Sequence, residues 1–180
     1  METLRFYKLD KINYPGFRDR LIDLYMHAFT TGRYAQFITP EAVSDTFDGI
    51  LSEGTVNMAV VEDRPVGMIA AFPLKEEPDF PAGECPDIPV GQALYIAEVM
   101  VHADYRGRGV ASQMLESQLQ EASKFYSHVV IRVWEENKPA LELYRKLGFV
   151  PVAGISQMKR KSDGGLFEMK KVYLCKILKI

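Results

Sequence analysis

Cysteine is scarce in this chain of 180 residues, which contains only Cys85 and Cys175. The two lie far apart and match no spacing of a metal-binding or redox motif. We therefore expect two free thiols, no metal site and a reducing, cytoplasmic setting.

Long apolar runs and a strong excess of charge are also missing. No run approaches the length that crosses a bilayer, and Met1–Arg5 lacks the basic-then-apolar order of a signal peptide. The formal net charge of −2 gives no global attraction to nucleic acid. The lysines near the C-terminus, from Lys159 to Lys179, alternate with strand residues and predict an ordinary solvated strand face. We expect neither a membrane nor a nucleic-acid partner.

The chain does carry enough apolar residues, 47% of the total, for one globular domain over residues 1–180. Hydrophobic periodicity and turn residues predict strand, two helices, three strands, helix, strand, helix and two strands. This order indicates a mixed α/β or α+β fold with a largely central sheet. The predicted strands are Leu4–Leu9, Val56–Glu62, Pro65–Phe72, Ala93–Val101, His128–Trp134, Phe149–Val152 and Lys171–Ile177. The predicted helices are Phe17–Phe29, Pro40–Ser52, Gly109–Tyr126 and Lys138–Leu147, and 74–90 is predicted to be a loop.

The segment 98–112 carries the clearest chemical signal. A buried strand ends there, and a basic, glycine-containing turn opens directly into a long helix. Unpaired N–H groups and the helix dipole favour an anion at such a helix start. Arg106, Gly107, Arg108, Gly109, Val110, Ala111 and Ser112 are therefore predicted to form a phosphate or pyrophosphate cradle. A plain strand-turn-helix join with solvated arginines is the alternative. The P-loop and three-glycine dinucleotide patterns are not met.

A second segment places Asn137 and Tyr144 on one face of a short helix that ends at Gly148. The two side chains can therefore face one ligand. A core aromatic with a hydrated hydroxyl is the alternative for Tyr144.

Together these segments resemble the GNAT superfamily of N-acetyltransferases. Arg106, Gly109 and Ala111 occupy the three defined positions of its Gln/Arg-x-x-Gly-x-Gly/Ala signature for the coenzyme A pyrophosphate. Asn137, Ala140, Tyr144 and the pair Gly148-Phe149 match its second signature. The element order extends the resemblance over nearly the whole chain. It implies a mixed, mostly antiparallel central sheet of about seven strands flanked by about four helices.

The resemblance also implies direct attack of an amine on the thioester of acetyl-coenzyme A, the co-substrate. Backbone N–H groups near Met100 and Val101 would hold the acetyl carbonyl, and Val99 beside them would also bind the cofactor. Tyr144 would protonate the departing thiolate, and Asn137 would bind the pantetheine arm or a water beside it.

The base that deprotonates the amine is predicted to be Glu98. Strict strand alternation puts Glu98 on one face with Leu94, Ile96 and Met100, and this apolar neighbourhood would raise its pKa. A glutamate paired with an arginine at the strand edge is the alternative. His102 and His27 are weaker candidates.

The acceptor is expected to be a primary amine of a small molecule or peptide. In the family, parts equivalent to 29–37, 74–90 and 154–169 shape its site, and Tyr34, Phe37 and Phe80 are candidate aromatic walls. The acidic segment with Glu76, Glu77, Asp79, Glu84 and Asp87 would favour a cationic amine, or is only a solvated loop. A non-catalytic acyl-coenzyme A sensor is the alternative function. The family often pairs through its C-terminal strands, so the resemblance allows a homodimer.

Overall fold

A central sheet organises the computed structural model, which describes residues 3–32 and 35–178. The sheet has seven strands in the order β1-β2-β3-β4-β5-β7-β6 over the described residues. The strands are β1 Arg5–Leu9, β2 Thr55–Val61, β3 Arg64–Pro73, β4 Ala93–Val101, β5 His128–Trp134, β6 Val150–Arg160 and β7 Leu166–Ile177. The α-helices are α1 Arg18–Thr30, α2 Pro40–Glu53, α3 Val110–Ala122 and α4 Lys138–Lys146.

All neighbouring strands pair antiparallel except β4 and β5, which are parallel. A parallel pair requires a crossover connection, and α3 supplies it. The predicted mixed, mostly antiparallel sheet with four flanking helices is confirmed. No helix within the two described ranges is long and apolar enough to cross a membrane.

Two helical layers cover opposite faces of the sheet. One apolar cluster joins α3 and α4 to the sheet through Val110, Met114 and Tyr144. A second joins α1 and α2 to the other face through Leu21 and Phe47. In α3 the cluster buries Val110, Met114, Leu115, Leu119 and Ala122, which recur at helical spacing, whereas Phe125 beyond the helix is exposed.

Local chemistry explains where two of the helices begin. Thr39 Oγ1 accepts a hydrogen bond from the N–H of Ala42 at 3.2 Å, and Pro40 occupies the first turn of α2. Asn137 plays the same part for α4, where its Oδ1 accepts from the N–H of Ala140 at 3.3 Å. Side-chain caps of this kind satisfy backbone donors that have no partner inside the helix.

Two predictions about the elements need correction. The segment 74–90 contains 3₁₀ turns at Leu74–Glu76 and Ala82–Glu84 instead of plain loop, and a third, Val90–Gln92, begins at its end. Burial of its apolar residues Leu74, Phe80 and Ile88 folds the segment against the sheet. Strands β6 and β7 are much longer than predicted. The sequence did not indicate the length of β6 because most of its residues are exposed and lack an apolar pattern. Both cysteines are buried in the cluster beneath 74–90, and both are free thiols, as expected.

Candidate active site

The parallel strands β4 and β5 separate part-way along their length. They pair only from Ala93 to Ile96 and from His128 to Ile131. Beyond Ile96, β4 continues to Val101 beside β3, and the edge that faces β5 has no strand partner among the described residues. The result is a gap in the middle of the sheet.

A β-bulge lies where the strands part. Ala70 of β3 opposes Glu98 and Ala71 opposes Ile96, so Ala97 is the extra residue of β4. Such a residue bends the strand and redirects the side chains that follow. The bulge therefore shapes the gap.

The bulge also overturns the predicted neighbourhood of Glu98. Leu94 and Ile96 pack with the α3 cluster, whereas Met100 packs with the α1–α2 cluster. Glu98 lies on the face of Met100, because the strict alternation behind the prediction breaks at Ala97. Its carboxylate points toward α1, where Tyr25 donates a hydrogen bond to Glu98 Oε1 at 3.1 Å.

The expected shift in the acidity of Glu98 is nevertheless present. Burial raises the pKa of Glu98 to about 7. The hydrogen bond from Tyr25 and the positive charges of Lys171 and Arg132 oppose this rise without cancelling it. A carboxylate with a pKa near neutrality can accept and release a proton at physiological pH.

Tyr144 approaches the gap from the opposite face of the sheet. It belongs to α4, is only 6% exposed and packs with the α3 cluster. Burial and then the charge of Glu98 raise the pKa of Tyr144 above its usual value of 10.0. The phenol therefore keeps its proton at neutral pH and can act as a donor.

Both side chains line one open cavity of about 740 Å³. Its walls also include Val99 of β4 and Val133 of β5, on the two sides of the gap. Asn137 lies at its exposed mouth, with Oδ1 already engaged as the α4 cap. The cavity thus passes from the α4 side of the sheet to the α1 side.

Backbone hydrogen bonds show which N–H groups of β4 face the gap. The N–H of His102 donates to Val66 of β3 at 2.8 Å. Because N–H directions alternate along a strand, the N–H of Met100 points toward β3, and those of Val99 and Val101 point toward the gap. Two donors, two residues apart along β4, therefore face the gap.

The predicted cradle forms the turn after β4. Gly107 and Gly109 have φ of +72° and +78°, in the left-handed region that favours glycine. Gly109 immediately precedes Val110, the first residue of α3. The N–H groups of Val110, Ala111 and Ser112 belong to the first turn and have no partner inside the helix. A helix start with these free donors suits an anion.

The cradle arginines have defined positions. Arg106 Nε donates to the carbonyl oxygen of Val101 at 3.1 Å, which ties the turn back to β4. Arg108 lies over the ring of Tyr105, with its guanidinium carbon 4.9 Å from the ring centre. Both side chains remain largely exposed beside the helix start.

The two histidines lie apart from the cavity lining. Their rings stack at 4.6 Å between centres, with His27 on α1 and His102 after β4. Burial lowers the pKa of His102, and the positive charges of His27 and Arg64 add to this effect. Neither ring faces the gap beside Glu98, and the geometry favours Glu98 as the base.

Comparison with known proteins agrees with this geometry. The family model described as "Acetyltransferase (GNAT) family" matches residues 18–149. The chain belongs to the GNAT acetyltransferase family. It is 38% identical over 55 residues to an uncharacterized N-acetyltransferase of Methanocaldococcus jannaschii, a stretch that spans 30% of this chain and 24% of that relative.

Solved GNAT structures share the fold over almost the whole chain. The ribosomal-protein-S18-alanine N-acetyltransferase of Escherichia coli has a TM-score of 0.70 at 13% identity, covering 99% of this chain and 96% of that one. Arabidopsis thaliana NAA60 in complex with acetyl-CoA has a TM-score of 0.73 at 17% identity, covering 97% and 98%. At these identities the likeness shows the fold.

The acceptor side of this GNAT chain differs from the sequence-based expectation. Glu77 and Asp79 of the acidic segment pair with Arg132 at 3.6 and 3.4 Å. None of the five acidic residues of 74–90 lines the cavity, so the segment does not favour a cationic amine there. Phe37 does line it, whereas Phe80 is buried elsewhere and Tyr34 lies outside the described residues.

Sequence reasoning missed several residues of the cavity wall. Tyr25 looked like an ordinary apolar position of α1, and Lys159 and Lys171 were assigned to a solvated strand face. All three line the cavity. The available signal was the alternation along β6 and β7, which does place Lys159 and Lys171 on one face once their pairing is known.

Proposed function

We propose that this chain is an N-acetyltransferase that moves the acetyl group of acetyl-CoA to a primary amine of a small molecule or peptide. The observation that carries the proposal is the placement of Glu98 and Tyr144 in one cavity, on opposite faces of the sheet. A direct transfer needs a proton acceptor on one side of the reacting carbonyl and a proton donor on the other. The acetyl-CoA complex of the Arabidopsis relative supports acetyl-CoA as the donor of the acetyl group.

The cradle would hold the pyrophosphate of acetyl-CoA. The glycines with positive φ leave the backbone of 107–109 open to a ligand, and the N–H groups of Val110, Ala111 and Ser112 point out of the helix start. Arg106 and Arg108 add positive charge beside it. Asn137 remains at the cavity mouth, where its amide nitrogen can donate to the pantetheine arm or to a water.

The gap between β4 and β5 would hold the thioester. The N–H groups of Val99 and Val101 face it, and we assign to one of these two donors the stabilisation of negative charge on the acetyl oxygen. Met100 instead contributes its N–H to the β3 pairing and its side chain to the α1–α2 cluster. Donors fixed in a strand need no rearrangement when the charge develops.

Glu98 would accept a proton and Tyr144 would donate one during the transfer. Glu98 takes one proton from the amine, whose nitrogen then forms the new bond to the acetyl carbon. The carbon–sulfur bond breaks, and Tyr144 donates its phenolic proton to the leaving thiolate. Glu98 then releases its proton to solvent and Tyr144 recovers one through the open cavity, so the net change is acetyl-CoA plus neutral amine to amide plus CoA.

Release of free CoA thiol with a panel of primary amines tests the function. We expect acceptor-dependent thiol release with the wild-type chain. We expect Glu98→Gln to slow it sharply at neutral pH while acetyl-CoA binding, measured by titration calorimetry, persists. Acetyl-CoA binding without turnover on any amine would contradict the proposal and favour the sensor.

A further inference from the structure

Two lysines from neighbouring strands point into the acceptor side of the cavity. Lys159 of β6 pairs with Phe167, and Lys171 of β7 pairs with Ile155. In a regular antiparallel ribbon these positions share one face. Met169 lies between them on that face, and it lines the cavity with both lysines. The ribbon therefore presents a cationic wall to the α1 side of the gap.

Local acidic groups leave this wall uncompensated. Neither Lys159 nor Lys171 has a carboxylate within 4.0 Å in the part of the chain that the structure describes. Arg132, the other cation deep in the cavity, is already paired with Glu77 and Asp79. Among the described residues, Arg132 therefore has carboxylate partners within 4.0 Å, whereas Lys159 and Lys171 do not.

The cost of this arrangement is visible at Lys171. Burial lowers the pKa of Lys171 to about 8, and the positive charges of Arg132 and Lys159 add to the effect. Glu98 and then Asp79 oppose it. Glu98 itself has a pKa near 7 and carries only part of a charge at neutral pH, and Asp79 is already paired with Arg132. A half-buried ammonium group in this setting is stabilised by any anion that reaches it.

Acidic and basic groups at the mouth do not change this balance. Glu136 and Arg160 both line the opening and are exposed, so water and salt screen them and they offset each other. The N–H of Phe37 donates to the carbonyl oxygen of Arg160 at 3.0 Å, and Gln36 bridges Lys161. This contact holds the end of β6 against the segment after α1 and encloses the lysines.

We infer that the acceptor is an amine that carries a carboxylate or another anionic group close to its amino group, bound by Lys171 and Lys159. The inference rests on the proposed function and names its acceptor class. The amino group lies at Glu98, which accepts its proton. The anionic group of the same molecule lies toward the β6–β7 ribbon. A free amino acid and a peptide with an acidic first or second residue both satisfy this chemistry.

Acceptors of matched size that differ in the charge of one group test the inference, compared at equal concentrations of neutral amine because a free carboxylate also raises the pKa of the amine. One arm compares amino acids with their carboxamides. The other compares peptide amides that begin Ala-Glu with those that begin Ala-Gln. We expect kcat/KM to be about tenfold or more higher for the anionic member of the preferred arm. The arm with the larger ratio identifies the source of the anion. Equal values, or a preference for the carboxamide or for cationic amines, would overturn the inference and leave the N-acetyltransferase proposal standing.

Variants and a binding measurement separate the two proposals. Lys171→Met and Lys159→Met should each reduce the anionic-to-neutral ratio toward one. Lys170→Met is the control. Lys170 pairs with Ser156 on the opposite, exposed face, and its replacement changes the net charge by the same amount. An unchanged ratio in both cavity variants would count against the inference.

Calorimetric titration of the same acceptors into the CoA-loaded protein needs no turnover. Tighter binding of the anionic members would support the inference even if thiol release failed and the proposed reaction were wrong. No binding of any anionic member, or no preference over the carboxamides, would overturn it.

Discussion

The hydroxyl of Tyr25 donates a 3.1 Å hydrogen bond to Oε1 of Glu98 and thereby links the first helix to the middle of the sheet. Tyr25 is itself buried and packs against Phe29 and Phe47, so its hydroxyl is held in place. The bulge at Ala97 turns Glu98 to the face of the sheet on which the Tyr25 hydroxyl lies. A backbone irregularity and an aromatic residue more than seventy positions away in sequence therefore position one carboxylate.

Tyr25→Phe tests this positioning role. The hydrogen bond favours the charged carboxylate, so its loss should raise the pKa of Glu98 further. We expect the acidic limb of the kcat/KM profile to move to higher pH and activity to recover at alkaline pH. Tyr14→Phe is the control, because Tyr14 is buried in the same cluster and its hydroxyl has no partner among the described residues. Identical pH profiles for wild type and Tyr25→Phe would remove the role.

Tyr144→Phe tests the proton donor. The change removes only the phenolic oxygen, so acetyl-CoA binding should persist. We expect kcat to fall ~10²- to 10⁴-fold, the usual contribution of a positioned acid. Tyr126→Phe, four residues beyond the end of α3 and outside the cavity lining, should leave kcat unchanged. An unchanged kcat in Tyr144→Phe would exclude the tyrosine from the mechanism.

Gly109→Glu tests the position of the pyrophosphate. The side chain would add bulk and negative charge at the helix start, so acetyl-CoA binding should be lost in calorimetric titration. Any residue other than glycine is also strained at φ +78°. Gly164→Glu controls for strain and charge, because Gly164 has φ +88° in open space at the β6–β7 turn. Normal binding by a folded Gly109→Glu variant would show that the cradle lies elsewhere.

The glycine turn before α3 and the position of Tyr144 on α4 could be predicted from sequence because both depend on local spacing. Arg106, Gly109 and Ala111 occupy one turn, and Asn137 and Tyr144 lie on one short helix, so no long-range pairing is needed to bring each set together. The fold class followed for the same reason, since periodicity and turn residues are local properties.

The acceptor side could not be predicted because it depends on strand pairing. The bulge at Ala97 exists only relative to Ala70 and Ala71 of β3. Lys171 looks like one of many lysines in an alternating strand until β7 is seen to lie between β5 and β6. The register of a mostly exposed edge strand such as β6 leaves no clear apolar pattern, so its length and its lysine face were both missed.

The opposed shifts at Glu98 and Lys171 predict how stability depends on pH. The pKa of Glu98 is raised from 4.5 to about 7, so the folded state holds a proton that the unfolded state has released. The free energy of unfolding should therefore fall by about 2 to 3 kcal/mol as pH rises through this window. The pKa of Lys171 is lowered from 10.5 to about 8, so the unfolded state binds more protons between these values. Stability from this residue should recover above pH 8.

Urea unfolding of the ligand-free protein from pH 4 to pH 10 measures both limbs. Glu98→Gln stays uncharged throughout, so its stability relative to wild type should rise between pH 4.5 and 7. Lys171→Met should have a higher free energy of unfolding than wild type below pH 8. This difference should shrink at higher pH, as the wild-type lysine deprotonates. Lys170→Met should follow the wild-type curve, because Lys170 is exposed. Parallel curves for all four proteins would contradict the burial that places Glu98 and Lys171 in the cavity, because only a buried charge resists ionisation in this way.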